Sequence, residues 1–256
     1  YLCESIVEIV KILKIPFNFY TINQDLSINV DSVKEIYRES YFVLIINFFG
    51  GIEVSKEIKK LRKIDLNISI ILDNVQSLYS MFKSFDVDFM FTSFRKQLPV
   101  PDGGWVISKY KLDKCEEYNT FAQYKLAGGL LKNFQGYQSV SDKIYLDLFE
   151  KGENAISENL NADISDVTLE ILNKLNLKLI RKKRSENASF LIDGIRKLGI
   201  EPLLNFNSDM TPLFVPVIFK NRDYIRQALQ NKNIFCPIHW PRFKDVNTKN
   251  NKLYDG

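Results

Sequence analysis

The sequence lacks any apolar run as long as a membrane-spanning helix requires, which is about 20 residues. The segment "YFVLIINFFGG" ends at a pair of glycines, and "SIVEIVKILKI" is interrupted by charged residues. We therefore predict no membrane span and expect no membrane partner.

A strong excess of charge of one sign is also missing. The 35 basic and 31 acidic residues alternate along the chain and leave a net charge of +4. Binding to nucleic acid generally requires basic residues gathered on one face. The sequence therefore predicts no nucleic-acid partner.

Cysteine is scarce, with only Cys3, Cys115 and Cys236 in the chain. Their number is odd and their spacing is not that of a metal site, which fits the reducing cytosol. We expect a cytoplasmic protein without a metal site, in which the cysteines are ordinary packing residues.

The chain does contain enough apolar residues for a large core. Of its 256 residues 45% are hydrophobic and 13% aromatic, which favours one large domain with a smaller lobe. Helical spacing of apolar residues alternates with continuous apolar runs, which predicts an α/β fold: a mostly parallel central sheet flanked by helices. The predicted helices are 4–14, 31–40 and 51–64, and the predicted strands are 17–23, 41–49, 67–73, 87–93 and 104–108.

Beyond Lys109 the pattern changes to long charged helices, predicted at 112–133, 139–160 and 165–198. A small C-terminal αβ lobe is predicted to follow, with strands at 211–219 and 234–241 on either side of a helix at 221–233. We accordingly expect three parts: a large cofactor-binding domain at 1–133, a helical connection at 134–198 and the lobe at 199–256. Because the chain opens on Tyr1 and closes without a final element, we expect that the N-terminal part of the large domain and the end of the lobe are missing.

Polar residues follow two of the predicted strands at their carboxyl ends. Asp73 ends one strand, and Ser93 and Lys96 follow another. Ligands of parallel α/β sheets bind beyond these ends. An acid and a lysine there suit pyridoxal 5′-phosphate: the lysine forms a Schiff base with the aldehyde, and the acid keeps the pyridine nitrogen protonated. Ser93 is placed to reach the phosphate and Gln76 the ring hydroxyl, while Gly103 and Gly104 allow close approach of the backbone.

Each of these features has a plainer interpretation when taken alone. A single aspartate at a strand end is commonly a turn former, a single lysine is usually solvated, and "PDGG" is a good turn. Their joint order favours the cofactor site. A strand is followed by Asp and Gln, and the next strand is followed by Ser, Lys, a turn, Gly-Gly and a further strand.

Three segments carry a family resemblance: "ILDNVQS", "FTSFRKQLPVPDGGWVIS" and "VPVIFKNRDYIRQALQNKNIFCPIHWP". They resemble the DegT/StrS-type aminotransferases, which are pyridoxal-phosphate enzymes of fold type I. The resemblance implies transfer of an amino group, often from glutamate, to a nucleotide-linked keto sugar in surface-polysaccharide or related sugar biosynthesis. It also implies a homodimer with the active site at the subunit interface.

Matched residue by residue, the resemblance gives the candidate site four positions. It places Asp73 on the pyridinium partner, Gln76 on the glutamine that follows it, Ser93 on the phosphate-binding serine and Lys96 on the Schiff-base lysine. It also places Tyr1 where the family has an aromatic residue that stacks on the cofactor ring.

The sequence departs from the family pattern at several points. Many members have two more residues between the serine and the lysine, and Asn47 stands where many have histidine. The family's first strand and the helix that surrounds the phosphate have no counterpart. These departures leave the sugar, the amino donor and the stereochemistry open.

Two alternatives to an aminotransferase remain. One is a pyridoxal-phosphate enzyme with another reaction, although sugar-dehydrating relatives replace the lysine with histidine, which Lys96 argues against. The other is a non-catalytic or vestigial protein that acts through partners.

Three further features have two interpretations each. His239, the only histidine, lies in "HWP" and either touches substrate or, as we favour, packs beside Trp240. The cluster "RKKR" at 181–184 either meets a diphosphate or, as we favour, lies on a solvated helix face. Arg95 contacts either an anion or a surface acid, with neither preferred.

Overall fold

The computed structural model describes residues 2–39, 41–115, 117–134, 142–158 and 161–239. Four strands form its sheet: β1 Phe42–Ile46, β2 Ser69–Asp73, β3 Phe89–Ser93 and β4 Gly104–Ser108. The helices are α1 Glu4–Ile12, α2 Val30–Ile36, α3 Val54–Arg62, α4 Ala122–Phe134, α5 Asp142–Glu158, α6 Asp166–Lys174, α7 Leu177–Lys197 and α8 Arg222–Gln230.

The sheet has the order β1-β2-β3-β4. The first three strands are parallel, and β4 runs antiparallel to β3. Helix α3 connects β1 to β2, as a parallel crossover requires. The α/β architecture, with parallel strands flanked by helices, is therefore confirmed.

The main core lies between this sheet and the helices that cover it. Fully buried aliphatic side chains of β2 meet the apolar face of α3, where Leu61 has no exposed surface. Ile70 and Leu72, which are also fully buried, lie two residues apart on one side of β2, as strand alternation requires. Packing of this kind fixes the level at which the strands end.

The predicted strand at 17–23 does not form. Its backbone bonds instead to the residues just after it, since Asn23 donates to the Ser27 carbonyl at 2.8 Å and Asn29 donates to the Thr21 carbonyl at 3.2 Å. The segment therefore folds back on itself, and only one isolated bridge, Ile22 to Ile28, remains.

The two strands predicted for the C-terminal part are also wrong within the described residues, which contain only helix α8 beyond residue 198. Three prolines, Pro212, Pro216 and Pro237, remove donors that a sheet would need. In the segment 211–219 the Pro216 carbonyl instead accepts the Leu203 amide at 2.8 Å, and the Thr211 hydroxyl accepts a hydrogen bond from Arg181 of α7 at 3.2 Å.

The long helices are shorter than predicted. The helix expected from 112 begins at Ala122, and the helix expected over 165–198 is divided into α6 and α7. Asn176 causes this division, because its side chain accepts the Leu179 amide at 3.0 Å and so caps a new helix. Within the described ranges no helix has the length and apolar character needed to cross a membrane.

The cysteines also differ from expectation. Cys115 and Cys236 are exposed and Cys3 is half-buried, and all three are free thiols. The prediction that they pack in the interior is wrong for Cys115 and Cys236, which lie in irregular segments outside the sheet core.

Candidate active site

Asp73 is the last residue of β2, at the end where the parallel strands finish. Its backbone pairs with Ile46 of β1 on one side and Phe91 of β3 on the other. The carboxylate is buried, with 6% of the residue exposed, and it accepts the Val75 amide at 2.7 Å. An acid is thus held at the centre of the sheet edge.

Burial raises the pKa of Asp73 from 3.8 to about 6. The hydrogen bond from Val75 and the positive charge of Lys96 act in the opposite direction but do not cancel the effect of burial. A carboxylate in this position is short of counter-charge and would be stabilised by a nearby cation.

Lys96 is held near Asp73 by the turn that follows β3. Ser93 ends the strand and begins a short 3-10 turn, Phe94–Lys96, which is closed by the Gln97 amide bonding the Phe94 carbonyl at 3.0 Å. Ser93 is half-buried and Lys96 is exposed. The charge of Lys96 acts on Asp73 without a direct ion pair, since none joins these two described residues. The structure therefore brings the predicted acid and lysine to one edge of the sheet.

Gln76 lies on the same edge but is already engaged through its carboxamide oxygen. That oxygen accepts the Phe49 amide at 2.7 Å, and the Gln76 carbonyl accepts the Gln97 side chain at 2.9 Å. Gln76 thus joins three segments of the site, a structural role that its position in the sequence did not indicate.

Asn47 follows β1 and completes this edge. Its side-chain nitrogen donates to Asn74 at 3.0 Å and Ser80 at 3.2 Å, while its backbone amide bonds the Asp73 carbonyl at 2.9 Å. Asn47 is 2% exposed, yet its Oδ1 has no hydrogen-bond partner among the described residues. An unpaired buried acceptor is costly and marks a place where a ligand donor would be favourable.

His239 is a residue that sequence reasoning placed outside the site. Its ring packs against Phe49, with centroids 5.5 Å apart, and against Phe214 at 5.0 Å. Burial lowers the pKa of His239, and the positive charge of Lys96 lowers it further. The preferred partner Trp240 lies outside the described residues, as does Tyr1.

The remaining basic candidates have structural partners. Arg95 pairs with Glu153 at 3.3 Å, which is a surface ion pair. In "RKKR", Lys182 and Lys183 pair with Glu186 on an exposed face. Arg184 instead turns inward and donates to the Gln97 carbonyl at 3.1 Å, so a solvated face is wrong for this residue.

The "PDGG" turn does more than reverse the chain. Asp102 is fully buried and accepts hydrogen bonds from the Ser165 amide at 2.8 Å, the Ser165 hydroxyl at 2.6 Å, Thr168 and Asn119. Gly103 has a φ of +87°, and a β-carbon there would lie 2.6 Å from Ile164. The turn beyond Lys96 is therefore fastened to the start of α6.

Comparisons with known proteins add little beyond this geometry. No protein-family model and no curated protein matches the chain. Among solved structures, a "NifS-like protein" is 16% identical, with 91% of this chain and 60% of that chain covered and a TM-score of 0.44. A variant of GDP-4-keto-6-deoxymannose-3-dehydratase (ColD) with bound GDP-perosamine is 15% identical, with coverage of 86% and 60% and a TM-score of 0.47.

A third solved structure is the ureidoglycine-glyoxylate aminotransferase (pucG) from Bacillus subtilis. It is 15% identical, with 80% of this chain and 52% of that chain covered and a TM-score of 0.38. This chain spans 60% or less of the length of these three structures. Overlaps at these TM-scores assign neither a family nor an activity to the chain.

Proposed function

We propose that this chain is a pyridoxal 5′-phosphate-dependent aminotransferase resembling the DegT/StrS type, with fold type I architecture. Its reaction transfers an amino group from an amino acid such as glutamate to a nucleotide-linked keto sugar. The observation that carries the proposal is the buried Asp73, short of counter-charge at the carboxyl edge of the sheet, with the amine of Lys96 close enough to affect its pKa.

The residues present suit the cofactor in three respects. A protonated pyridine nitrogen is the cation that the buried Asp73 carboxylate lacks. Lys96 offers an exposed amine that forms no ion pair among the described residues. Asn47 Oδ1 offers a buried acceptor that has no partner in the part of the chain that the structure describes. Ser93, half-buried at the end of β3, would bind the phosphate, and the nitrogen side of the Gln76 carboxamide would face the ring hydroxyl.

When bound, pyridoxal phosphate supplies an aldehyde for amines and a ring that accepts electrons. Lys96 would hold the cofactor through a bond from its Nζ to the aldehyde carbon, with the aldehyde oxygen leaving as water. Once the amino donor has taken its place, the free Lys96 amine would move a proton as general acid and base. Asp73 would keep the ring nitrogen protonated. The fixed 3-10 turn at Phe94–Lys96 would orient the amine for both tasks.

The division into a large cofactor-binding domain at 1–133, a helical connection at 134–198 and a small lobe at 199–256 belongs to the same proposal, as does a cytoplasmic location. The proposal also includes assembly of the chain into a homodimer.

The proposal is tested by titrating the purified chain with pyridoxal 5′-phosphate. We expect an absorbance band in the visible range that glutamate converts, and loss of that band in Lys96→Ala. The matched control is Lys109→Ala, since Lys109 is also a partly exposed lysine near the sheet but pairs with Asp86 at 2.9 Å. Equal bands in wild type and Lys96→Ala, or no band in wild type at millimolar cofactor, would contradict the proposal.

A further inference from the structure

Phe49 joins the candidate site to the C-terminal part of the chain. Its amide is held by Gln76 at 2.7 Å, and its carbonyl accepts the Leu213 amide at 3.0 Å. The backbone of Phe49 thus forms one hydrogen bond to the sheet edge and another to the segment before Phe214.

The backbone of Phe49 is strained. Its φ is +56°, a region that non-glycine residues seldom occupy, and the side chain is 3% exposed. Such strain persists where surrounding contacts enforce it, often at functional sites. The bonds to Gln76 and Leu213 are contacts of this kind.

The ring of Phe49 forms an aromatic cluster with Phe214 and His239. The centroid distances are 6.5 Å from Phe49 to Phe214, 5.5 Å from Phe49 to His239 and 5.0 Å from Phe214 to His239. The contacts to Phe214 are edge-on, an arrangement that aromatic rings prefer and that stabilises the pair beyond the effect of burial. The imidazole is therefore held in one place relative to Phe49.

Phe49 and His239 also form part of the wall of a cavity of about 510 Å³. The rest of the wall is mostly apolar and comes mainly from α7, α8 and the segments 212–219 and 235–238. Small-molecule sites commonly have volumes of about 300–1,000 Å³ and apolar walls with a few polar groups. Space for part of a substrate thus lies beside His239.

We propose that His239 is a substrate-contacting residue of the Lys96 site and that Phe49 is the residue that positions it. This inference rests on the proposed function. It extends that function to a residue in the lobe.

A neutral imidazole donates one hydrogen bond and accepts another. Burial lowers the pKa of His239 and the positive charge of Lys96 lowers it further, so the neutral imidazole is favoured. A neutral donor and acceptor suits a hydroxyl or keto group. His239 would therefore contact the sugar-like part of a substrate in preference to a carboxylate.

The test uses the fact that the chain has one histidine, so its imidazole proton NMR signal is unambiguous. The pKa of His239 should lie below the ordinary 6.5. It should rise in Lys96→Met and in Lys96→Gln, because a nearby positive charge is removed. Lys83→Met is the matched control, since Lys83 is also exposed and donates to the Asp209 carbonyl in the lobe instead. An unchanged pKa in both Lys96 variants would overturn the inference.

The positioning role has its own signature. Phe49→Leu removes the phenyl ring that flanks the imidazole of His239. The His239 NMR signal should therefore shift, and the pKa of His239 should rise because its imidazole becomes more hydrated. Phe49→Tyr keeps an aromatic ring at this position and should restore the wild-type His239 signal. This control distinguishes loss of the phenyl ring from loss of the fold. If neither variant moves the signal, Phe49 does not position His239.

Pyridoxal phosphate is the probe that connects His239 to the site. Binding at Lys96 should move the His239 signal in wild type, and His239→Gln should keep the absorbance band while impairing turnover of the keto substrate. A bound cofactor that leaves the His239 signal unmoved would overturn this inference and leave the proposed function intact. Failure of the cofactor to bind would instead contradict the proposed function, while the response to Lys96→Met would still decide whether His239 faces the site.

Discussion

The pKa of Asp73 has a consequence for stability as well as for cofactor binding. In the folded chain the Asp73 carboxyl keeps its proton up to about pH 6, whereas the ordinary pKa of an aspartate is 3.8. Between these values the folded state binds more protons than the unfolded state, so stability falls as the pH rises and then stays at the lower level. A pKa shift of one unit corresponds to about 1.4 kcal/mol, so ionisation of the buried Asp73 carboxyl lowers the free energy of unfolding by about 3 kcal/mol above pH 6.

We therefore predict that Asp73→Asn stabilises the chain without cofactor. The advantage over wild type should grow from about pH 4 to about pH 6 and then level at up to about 3 kcal/mol. Urea denaturation across this pH range measures it.

The matched control is Asp86→Asn, because Asp86 is exposed and its partner Lys109 lowers its pKa. This substitution should give no gain at high pH. A stability difference for Asp73→Asn that does not change with pH would show that the carboxylate is not an ionised buried group.

A residue that destabilises its own fold is typical of a functional site, because selection tolerates the cost where a ligand relieves it. Asn47 Oδ1 is a second example, since it is buried without a partner among the described residues. Both lie at the same sheet edge, which places the cost where the ligand is proposed to bind.

Among the secondary-structure elements, the connection from β4 to the helices depends on Asp102. Its carboxylate accepts from four donors and holds the first turn of α6, so removing it leaves buried polar groups without an acceptor. We predict that Asp102→Ala lowers the free energy of unfolding by about 3 kcal/mol or more.

The control for Asp102 is Asp166→Ala, an exposed acid in the first turn of the same helix. It should cost well under 1 kcal/mol, the usual size of a charge effect at a helix end. Thermal or urea unfolding measures both variants. Similar losses would mean that Asp102 acts only through the charge that it places near the helix.

Sequence reasoning located the sheet well because its strands are continuous apolar runs between charged helices. The predicted strand at 104–108 matches β4, and the predicted runs at 67–73 and 87–93 end where β2 and β3 end. The sequence therefore sufficed to predict that Asp73 and Lys96 lie near each other, since the carboxyl ends of parallel strands lie at one edge of the sheet.

The C-terminal part could not be predicted in the same way. Its segments "TPLFVPVIF" and "IFCPIHWP" have strand-like composition, but a strand forms only where a partner strand offers hydrogen bonds, and composition does not show the partner. The electrostatic effect of Lys96 on His239 depends on the same long-range packing. The positive φ of Phe49 likewise follows from its contacts to Gln76 and Leu213, which lie 27 and 164 residues away by their numbers.

For the whole molecule, exposed apolar side chains on the long helices are the main evidence on assembly. They include Leu130, Phe134, Ile144, Leu146, Leu179, Phe190 and Leu191. The apolar segment "NFFGG" does not contribute to this surface, because Phe48 and Phe49 are each 3% exposed and pack against Leu204 and its neighbours. We therefore place the proposed interface on the long helices.

We predict that the chain forms a two-fold dimer and that dissociation lowers its affinity for pyridoxal phosphate. Large exposed apolar patches commonly mark interfaces, and the resemblance places the site between subunits. Sedimentation at falling protein concentration, with cofactor absorbance followed in parallel, measures both effects. A monomer that retains the cofactor and turns over would contradict the prediction.

The central claim is that Lys96 forms the covalent bond to the cofactor, and chemical trapping tests it most directly. The chain is saturated with pyridoxal 5′-phosphate, reduced with borohydride and digested, and the modified peptide is identified by mass spectrometry. We expect the pyridoxyl group on Lys96 and its absence from Lys83 and Lys109. A pyridoxyl group on another lysine with Lys96 unmodified would contradict the claim.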